Sequence, residues 1–329
     1  MKVLLTGAFG NLGSLVVEKL VERKHHVVAF DVPTGPNLKM SKRFQEHSDV
    51  EIVWGDIRDE AQVAALVHRV DAVLHLAAII APFSERDPEL SHAVNVGGTE
   101  NILRAIASAA KPPLMVFSSS ISVFGPRKQG APLCTPHDEL VKTDHYSGHK
   151  IHCEQRVQEL ASPWAILRLG GMIDSRMRQR DPEQARMGFS LAPDNPVEYV
   201  HTEDAATALV HVLDRPEAHD KIHLIGGGKE CQVTTLQLTQ TMMGAIGLTV
   251  TAADLGDAPT YAAWLDTSES QRLLSYQRHT AEDFRRETYA RFRFVRPFVR
   301  PLSPLIMRAL KGWLRRPRAG TGQREDRER

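Results

Sequence analysis

The chain has 329 residues, of which 42% are hydrophobic and 25% charged, so it has the composition of a globular protein with a sizeable core. This length accommodates one large α/β domain or two smaller ones. The formal net charge is +1, but residues 291–318 contain eight Arg, one Lys and no acidic residue, which leaves about −8 for the rest of the chain. An acidic main body argues against nucleic-acid binding.

Targeting and redox signals favour the cytoplasm. Residues 1–6 lead directly into a strand-like run and lack the basic and apolar regions of a signal peptide. No apolar run approaches the roughly 20 residues of a membrane-spanning helix. Cys134, Cys153 and Cys231 are odd in number and widely spaced, so we expect reduced thiols, no disulfide framework and no metal site.

The first half of the sequence alternates short apolar runs with longer helical patterns. Strands are predicted at residues 2–6, 26–30, 51–54, 72–76, 114–118 and 165–169, and helices at 11–23, 60–69, 88–110 and 146–160. The strands are apolar nearly throughout, as in a parallel sheet buried on both faces. This alternation predicts an α/β fold with a Rossmann-type doubly wound parallel sheet over residues 1–170.

After residue 170 the pattern becomes irregular. A polar stretch at 174–195 precedes a predicted helix at 203–213, an apolar run at 222–225 and a helix at 234–246. We expect residues 171–288 to form a small substrate-binding lobe interwoven with the sheet. Residues 289–329 are expected to form a basic amphipathic tail, disordered from Arg316.

Three glycines follow the first predicted strand and open the first helix. Gly7, Gly10 and Gly13 have the spacing Gly-x-x-Gly-x-x-Gly, one residue longer at the first gap than the common dinucleotide fingerprint. Glycines at such a turn let the backbone approach a pyrophosphate, which the N-terminus of the helix attracts. A tight turn with close helix packing is the alternative explanation of the same glycines.

Asp31 ends the second predicted strand, 18 residues after Gly13. A carboxylate at this position can accept both adenosine ribose hydroxyls and repel a 2′-phosphate, which favours NAD over NADP. Lys39, Lys42 and Arg43 follow and would partly reverse that preference. Alternatively, Asp31 only caps the strand.

A tyrosine and a lysine lie four residues apart at the start of a predicted helix. Tyr146 and Lys150 therefore share one face, where the ammonium, together with an oxidised nicotinamide, would lower the pKa of the phenol. This makes Tyr146 a candidate general acid/base. The serine cluster at residues 118–122, just after the fifth strand, offers a hydroxyl to orient a substrate oxygen.

These motifs stand in a recognisable order. The glycine turn, Asp56-Ile57, His75-Leu-Ala-Ala78, Asn95-Val-Gly-Gly-Thr99, Ser118 to Gly125, Tyr146 to Lys150 and Glu154 resemble the extended short-chain dehydrogenase/reductase family of the NAD-dependent epimerase/dehydratase type. The resemblance covers roughly residues 1–285 and continues weakly through Arg168-Leu-Gly-Gly171 and Tyr199 to Asp204.

The resemblance implies roles for individual residues. Ser120, Tyr146 and Lys150 would be catalytic, with Tyr146 as the acid/base. The implied cofactor-binding residues are Gly7, Phe9, Gly10, Asn11, Leu12, Gly13, Asp31, Asp56, Ile57, Leu76, Ala77, Ala78, Ser118, Tyr146 and Lys150. For Asn95, a helix-kinking or packing role and an active-site role stay open.

We expect different roles for two histidines near these motifs. His75 ends an apolar strand, where we expect a core histidine satisfied by a backbone partner. His145 is a weaker candidate for lining the substrate pocket.

Nucleotide-sugar enzymes of this family usually carry an Asn and a Tyr-Gly pair after the sixth strand, and this chain has Arg168-Leu-Gly-Gly there instead. The departure argues against a nucleotide-sugar substrate. Arg176, Arg178, Arg180 and Arg186 would either bind a pyrophosphate or form a solvated loop face.

The basic tail has two explanations. Leu302, Ile306, Leu310, Trp313 and Leu314 can share one helix face at residues 304–314, with cations opposite or flanking. Residues 291–316 would then lie on an anionic membrane surface at the inner face of the bilayer. The alternative is a helix docked on the protein's own acidic body or on a second subunit.

The sequence therefore predicts an NAD-dependent oxidoreductase that transfers hydride at a secondary alcohol or ketone carbon of a small-molecule substrate. A nucleotide-sugar epimerase or dehydratase with tightly bound NAD is the first alternative. A non-catalytic dinucleotide-binding scaffold is the second. The family resemblance further implies a homodimer.

Overall fold

The computed structural model describes residues 1–127, 130–172, 182–259 and 263–314, with the side chains of 182–184 left undescribed. Its strands are β1 Lys2–Thr6, β2 His26–Asp31, β3 Val50–Trp54, β4 Ala72–His75, β5 Leu114–Ser120, β6 Trp164–Leu169, β7 Pro196–Glu198, β8 Lys221–Ile225 and β9 Gln232–Thr234. Arg176, Arg178, Arg180 and the tail from Arg316 lie outside the described residues.

The helices alternate with the strands along the first half and then accumulate. They are α1 Asn11–Glu22, α2 Gly35–Ser41, α3 Glu60–Val67, α4 Phe83–Arg86, α5 Pro88–His92, α6 Gly98–Ser108, α7 His145–Gln158, α8 Pro182–Ser190, α9 Thr202–His211, α10 Thr235–Ala245, α11 Ser268–Leu274, α12 Ala281–Arg291, α13 Arg296–Val299 and α14 Ser303–Leu314. No helix within these ranges is long and apolar enough to cross a membrane.

Seven parallel strands form one sheet in the order β3-β2-β1-β4-β5-β6-β8. Strands β7 and β9 pair separately and antiparallel. The strand order reverses between β1 and β4, which opens a crevice at their carboxyl ends, where open α/β sheets bind ligands. The predicted Rossmann-type sheet is confirmed, and its glycine turn lies at this crevice.

Apolar side chains cover both faces of the sheet. Along β1, Val3 and Leu5 join a core with α1 and α9, whereas Leu4 faces the opposite core, which contains Ile102 of α6 and Val157 of α7. Alternate residues of a strand point to opposite faces, so one continuous apolar run supplies both cores.

The predicted helix over residues 88–110 is interrupted. A π-helical turn at Ala93–Gly97 separates α5 from α6. Inside this turn the Asn95 side chain accepts a hydrogen bond from the Ile79 N–H at 2.7 Å and donates to the Ile79 carbonyl at 2.9 Å. Asn95 therefore holds the loop after β4 against the kink, which matches the helix-kinking alternative.

The described part of the tail is helical and packs against α8 and the residues after α10, within the predicted lobe. Ile306, Met307, Leu310 and Leu314 of α14 join an apolar cluster that contains Phe189 and Leu248. Arg186 of α8 stacks on the Trp313 ring at 4.1 Å and donates to the Trp313 carbonyl oxygen at 3.1 Å. The docked explanation of the tail therefore holds for this face, and Arg186 contributes to the docking.

Candidate active site

The turn after β1 has a shape that only glycine permits at two of its three positions. Gly7 has a φ of +70°, and a Cβ there would lie 2.9 Å from the Ala77 nitrogen. A Cβ on Gly13 would lie 2.0 Å from the Gly7 carbonyl oxygen. The fold therefore demands glycine at both positions.

Gly10 differs from the other two glycines. A Cβ there would meet only the Gly7 carbonyl oxygen, at 3.5 Å, and Gly10 lines the open crevice. It is also the N-cap of α1, without a side-chain capping hydrogen bond. Since the fold itself does not require glycine at this position, its missing side chain keeps the uncapped helix N-terminus open to a ligand.

Asp31 lies at the end of β2 beside this turn. Its carboxylate accepts hydrogen bonds from the N–H groups of Phe9 and Val32, both at 2.8 Å, and from the Asn37 amide at 3.0 Å. Burial raises its pKa, which these backbone hydrogen bonds partly offset. Arg43, a residue that would attract a 2′-phosphate, is instead ion-paired with Glu18.

Two adjoining cavities extend from the glycine turn. One, of about 390 Å³, contains Asp31, Asp56 and Ile57, and the other, of about 600 Å³, contains Ser120, Tyr146 and Lys150. Every cofactor-binding residue implied by the resemblance lines one of them, except Phe9. The Phe9 ring is buried against Trp54 and its backbone N–H donates to Asp31, so its contact with a cofactor stays a prediction.

Additional residues line the cavities. Arg58 lies in the first cavity and donates to Asp56 through Nε at 3.0 Å and Nη2 at 2.6 Å, which lowers the pKa of that carboxyl. The second also contains residues that the sequence analysis missed: Ile79, Ile80, Phe83, Leu169, Gly170, Met172 and Thr202. Ile79 and Ile80 directly follow the Leu76–Ala78 motif, so their position in the sequence could have identified them as cavity residues.

The three candidate catalytic side chains meet in the second cavity. Ser120 is the last residue of β5, so the serine cluster begins inside the strand and not after it. Tyr146 lies in the first turn of α7, which begins at a capping box formed by Asp144 and Ser147. Ser120 and Tyr146 line the same cavity, so the end of β5 and the start of α7 bring the two hydroxyl groups together.

Lys150 is buried one turn further along α7. Its ammonium donates to the Ser118 carbonyl oxygen at 2.6 Å and lies 4.6 Å from the Phe117 ring centre. Burial lowers the pKa of Lys150 to about 8 and raises that of Tyr146 to about 12. The sequence predicts a lowered pKa for Tyr146, on the assumption that an oxidised nicotinamide lies beside it. The protein groups alone raise this pKa instead.

His75 anchors the floor of the crevice through side chains and not through a backbone partner. Its Nδ1 is 2.7 Å from the Thr6 hydroxyl and its Nε2 is 3.0 Å from the Thr99 hydroxyl. Thr99 donates to the Asn95 carbonyl at 2.6 Å, so it accepts from Nε2–H, which assigns the neutral tautomer. Burial lowers the pKa of His75 to about 3.

A buried ion pair supports α7, the helix that carries Tyr146 and Lys150. Arg168 of β6 binds Glu154 of α7 with Nε–Oε1 and Nη2–Oε2 distances of 3.0 and 2.7 Å, and both side chains are excluded from solvent. Ser119 donates a further hydrogen bond to Glu154. These contacts fix α7 against the strand that carries Ser120. His145, by contrast, faces Glu85, 4.0 Å away, and does not line the cavity.

One cluster in the described part of the chain has metal-ligand chemistry. Nitrogen and oxygen atoms of His201, His279 and Glu287 lie within 4.8 Å of one another. His279 Nδ1 is bound to Asp204 at 2.7 Å, and His201 Nδ1 accepts the Glu203 N–H at 3.2 Å. His201 therefore carries its proton on Nε2, the atom that faces Glu287 at 3.3 Å. The absence of a metal stays a prediction.

Sequence comparisons identify relatives over part of the chain. The profile of the 3-beta hydroxysteroid dehydrogenase/isomerase family matches residues 4–167. The chain is 29% identical to 3 beta-hydroxysteroid dehydrogenase type 7 of Rattus norvegicus over 232 residues, 68% of this chain and 62% of the relative. It is 34% identical to 3 beta-hydroxysteroid dehydrogenase/Delta 5→4-isomerase of Mycobacterium tuberculosis over 151 residues, 44% of this chain and 38% of the relative. It thus spans less than two thirds of either relative.

Solved structures share the fold at low identity. UDP-glucuronic acid 4-epimerase of Bacillus cereus, in complex with UDP-glucuronic acid and NAD, superposes with a TM-score of 0.75 at 20% identity, covering 91% of this chain and all of that one. UDP-glucose-4-epimerase of Stenotrophomonas maltophila gives 0.74 at 24% identity, covering 89% and 98%. The chain is thus similar in sequence to 3-beta hydroxysteroid dehydrogenases over its first half, and it shares its fold with NAD-bound epimerases over nearly its whole length.

Proposed function

We propose that the protein is an NAD-dependent oxidoreductase that interconverts a secondary alcohol and a ketone on a lipophilic, hydroxysteroid-like substrate. The observation that carries this proposal is the convergence of Ser120, Tyr146 and Lys150 on one cavity of about 600 Å³ with Ile79, Ile80, Phe83 and Met172. An acid/base group thus faces a wall of apolar side chains, as a lipophilic alcohol requires.

The crevice fits a dinucleotide. The glycine turn leaves the N-terminus of α1 open to a pyrophosphate, and Asp31 offers a carboxylate for the adenosine ribose. The same carboxylate would repel a 2′-phosphate, which supports NAD over NADP. Bound NAD would supply or accept hydride at its nicotinamide ring, whose ribose Lys150 would hold.

The chain's own groups would handle the proton and the substrate oxygen. In oxidation, the Tyr146 phenolate oxygen takes the hydroxyl proton, and in reduction the phenol returns it to the carbonyl oxygen. Ser120 donates a hydrogen bond that holds this oxygen beside Tyr146. Lys150 places a positive charge near the phenol and so favours its ionised form.

The substrate class rests on the relatives and on the cavity lining. The matched relatives are named for 3β-hydroxysteroids. Among the described residues of the catalytic cavity, Lys150 is the only cation, so these residues offer no arginine for a diphosphate. Arg168 lies on β6, the strand beside the one that carries Ser120, but its guanidinium is already ion-paired with Glu154.

The proposal also includes the finer partner and location assignments. A homodimer follows from the family resemblance, and light scattering on the purified protein tests it. We assign the protein to the cytoplasm because all three cysteines are free and buried. We also propose peripheral contact with the inner face of a membrane.

The decisive experiment separates this function from its alternatives. The purified protein is denatured, released dinucleotide is assayed, and the native protein is offered NAD with a 3β-hydroxysteroid or with a UDP-sugar. NADH formation from the hydroxysteroid, lost in Tyr146→Phe, supports the proposal. Stoichiometric bound NAD with UDP-sugar turnover would overturn it in favour of an epimerase or dehydratase, and dinucleotide binding without any turnover would favour the scaffold.

A further inference from the structure

The segment from Phe292 to Leu314 has two apolar faces, of which the lobe covers one. Backbone angles at Val295, Arg300 and Ser303 are all right-handed helical, so the chain follows a helical path through α13 into α14. Val299, Ile306, Leu310 and Leu314 pack into the lobe cluster with Met307. The opposite face carries further large apolar side chains.

That opposite face is exposed. The relative exposure is 72% for Phe294, 78% for Phe298, 51% for Leu302 and 68% for Leu305. Their spacings of four, four and three residues place them in one stripe along the helical path. We call these four residues the outer stripe. Of the residues whose spacing predicts the membrane face, only Leu302 belongs to the stripe.

Arginines border the outer stripe. Arg291, Arg293, Arg300 and Arg308 are all exposed, and the Arg293 guanidinium lies 4.5 Å from the Phe294 ring centre. No acidic residue occurs between residues 291 and 318. Aromatic and leucine side chains within a border of arginines are the composition of a helix that lies in an anionic bilayer interface.

We infer that the outer stripe docks on an anionic lipid surface, with its apolar side chains inserted at the headgroup boundary and the arginines on the lipid phosphates. A second copy of this chain fits the stripe less well, because a two-fold contact would bring the two sets of arginines together without an acidic partner. This inference does not depend on the proposed activity, since vesicle binding is measured without substrate.

The test uses the full chain and point variants. Deleting the tail would uncover Leu248 and its cluster and is therefore uninformative. Co-sedimentation is measured with vesicles of phosphatidylcholine alone and with vesicles that also contain phosphatidylglycerol. We expect binding to the anionic vesicles only, weakened by added salt and reduced about tenfold or more in Phe294→Ser/Phe298→Ser and in Arg293→Gln/Arg300→Gln.

Matched controls remove similar groups elsewhere. Leu133→Ser removes an apolar side chain that is 43% exposed, and Lys111→Gln removes an exposed cation. Both should bind anionic vesicles like the unchanged chain, and all variants should keep the same melting temperature. Absence of binding to anionic vesicles, or equal binding by the stripe variants, would overturn the inference. So would a dimer in solution that Phe294→Ser/Phe298→Ser converts to a monomer.

Discussion

Lys150 lies 5.7 Å from the centre of the Tyr146 ring, and its ammonium donates to the Ser118 carbonyl oxygen. Burial raises the pKa of the phenol to about 12, and the neighbouring Ser120 hydroxyl opposes this shift. Tyr146 is therefore neutral at ordinary pH, which is the form that the proposed reduction uses directly.

This relationship predicts opposite pH profiles for the two directions. Oxidation needs the phenolate, whose fraction rises with pH below the raised pKa, so its rate at saturating substrate should increase between about pH 6 and pH 8. Reduction should be flat over the same range. Initial rates measured in both directions check this prediction. Lys150→Met should shift the pH profile of oxidation to higher pH. Lys142→Met, which removes a different lysine, is the control. Oxidation that is independent of pH would contradict the assigned base.

Tyr146→Phe removes the proton-transferring hydroxyl and keeps the ring. We expect kcat to fall by about 100-fold to 10,000-fold while the dissociation constant for NAD changes little. Steady-state rates and a fluorescence titration with NAD measure the two quantities. Tyr289→Phe, on the distant α12, should keep full activity. Normal turnover in Tyr146→Phe would refute the mechanism.

Gly10 and Gly13 provide a matched pair. Gly10→Ala has room in the protein but projects a methyl group into the crevice, so NAD affinity should fall by about tenfold or more with little change in stability. Gly13→Ala drives a methyl group into the Gly7 carbonyl and should lower the free energy of unfolding by at least about 2 kcal/mol. Thermal melting and NAD titration separate the two effects. Equal NAD affinity in Gly10→Ala would remove the case for a ligand at this turn.

Asp31→Ala tests the choice of cofactor. Losing a charged acceptor for the ribose hydroxyls should weaken NAD binding by about 10-fold or more and reduce discrimination against NADP. Titrations of both dinucleotides measure the ratio of dissociation constants. Asp49→Ala, a surface carboxylate that faces His26 at the other end of β2, is the control. An unchanged ratio in Asp31→Ala would mean that Asp31 is only structural.

The lowered pKa of His75 predicts that the free energy of unfolding of the protein decreases in acid. The pKa falls from 6.5 to about 3 on folding, so the unfolded chain takes up this proton first as the pH drops below 6.5. Between about pH 7 and pH 5 this group should reduce the free energy of unfolding by about 2 kcal/mol. In urea titrations, the free energy of unfolding of His75→Gln should therefore change about 2 kcal/mol less between pH 7 and pH 5 than that of the unchanged protein. His137→Gln, an exposed histidine, should leave it unaltered, and an equal effect of both variants would contradict the assignment.

Several structural features followed from local sequence patterns. The buried strands were recognisable because both faces of a parallel sheet demand apolar residues, and the glycine turn because its backbone conformation excludes side chains. Tyr146 and Lys150 were placed on one helix face by their spacing alone. The boundaries of the domains at residues 170 and 288 stay predictions.

Other features depend on residues far apart in the chain. The sequence does not reveal that Asn95 binds the loop at Ile79, or that Thr6 and Thr99 satisfy His75, because these contacts form only when the strands and helices assemble. The contact of the Phe9 ring with Trp54 is likewise a product of packing between distant segments.

The sequence by itself determined the parallel α/β fold, the glycine turn and the Tyr146–Lys150 face, since helix and strand periodicity and backbone sterics act over a few residues. Only the tertiary structure decided that Lys150 binds the Ser118 carbonyl and that the tail hides one apolar face while exposing Phe294 and Phe298. The physical reason is that hydrogen-bond partners and burial are set by packing between distant segments.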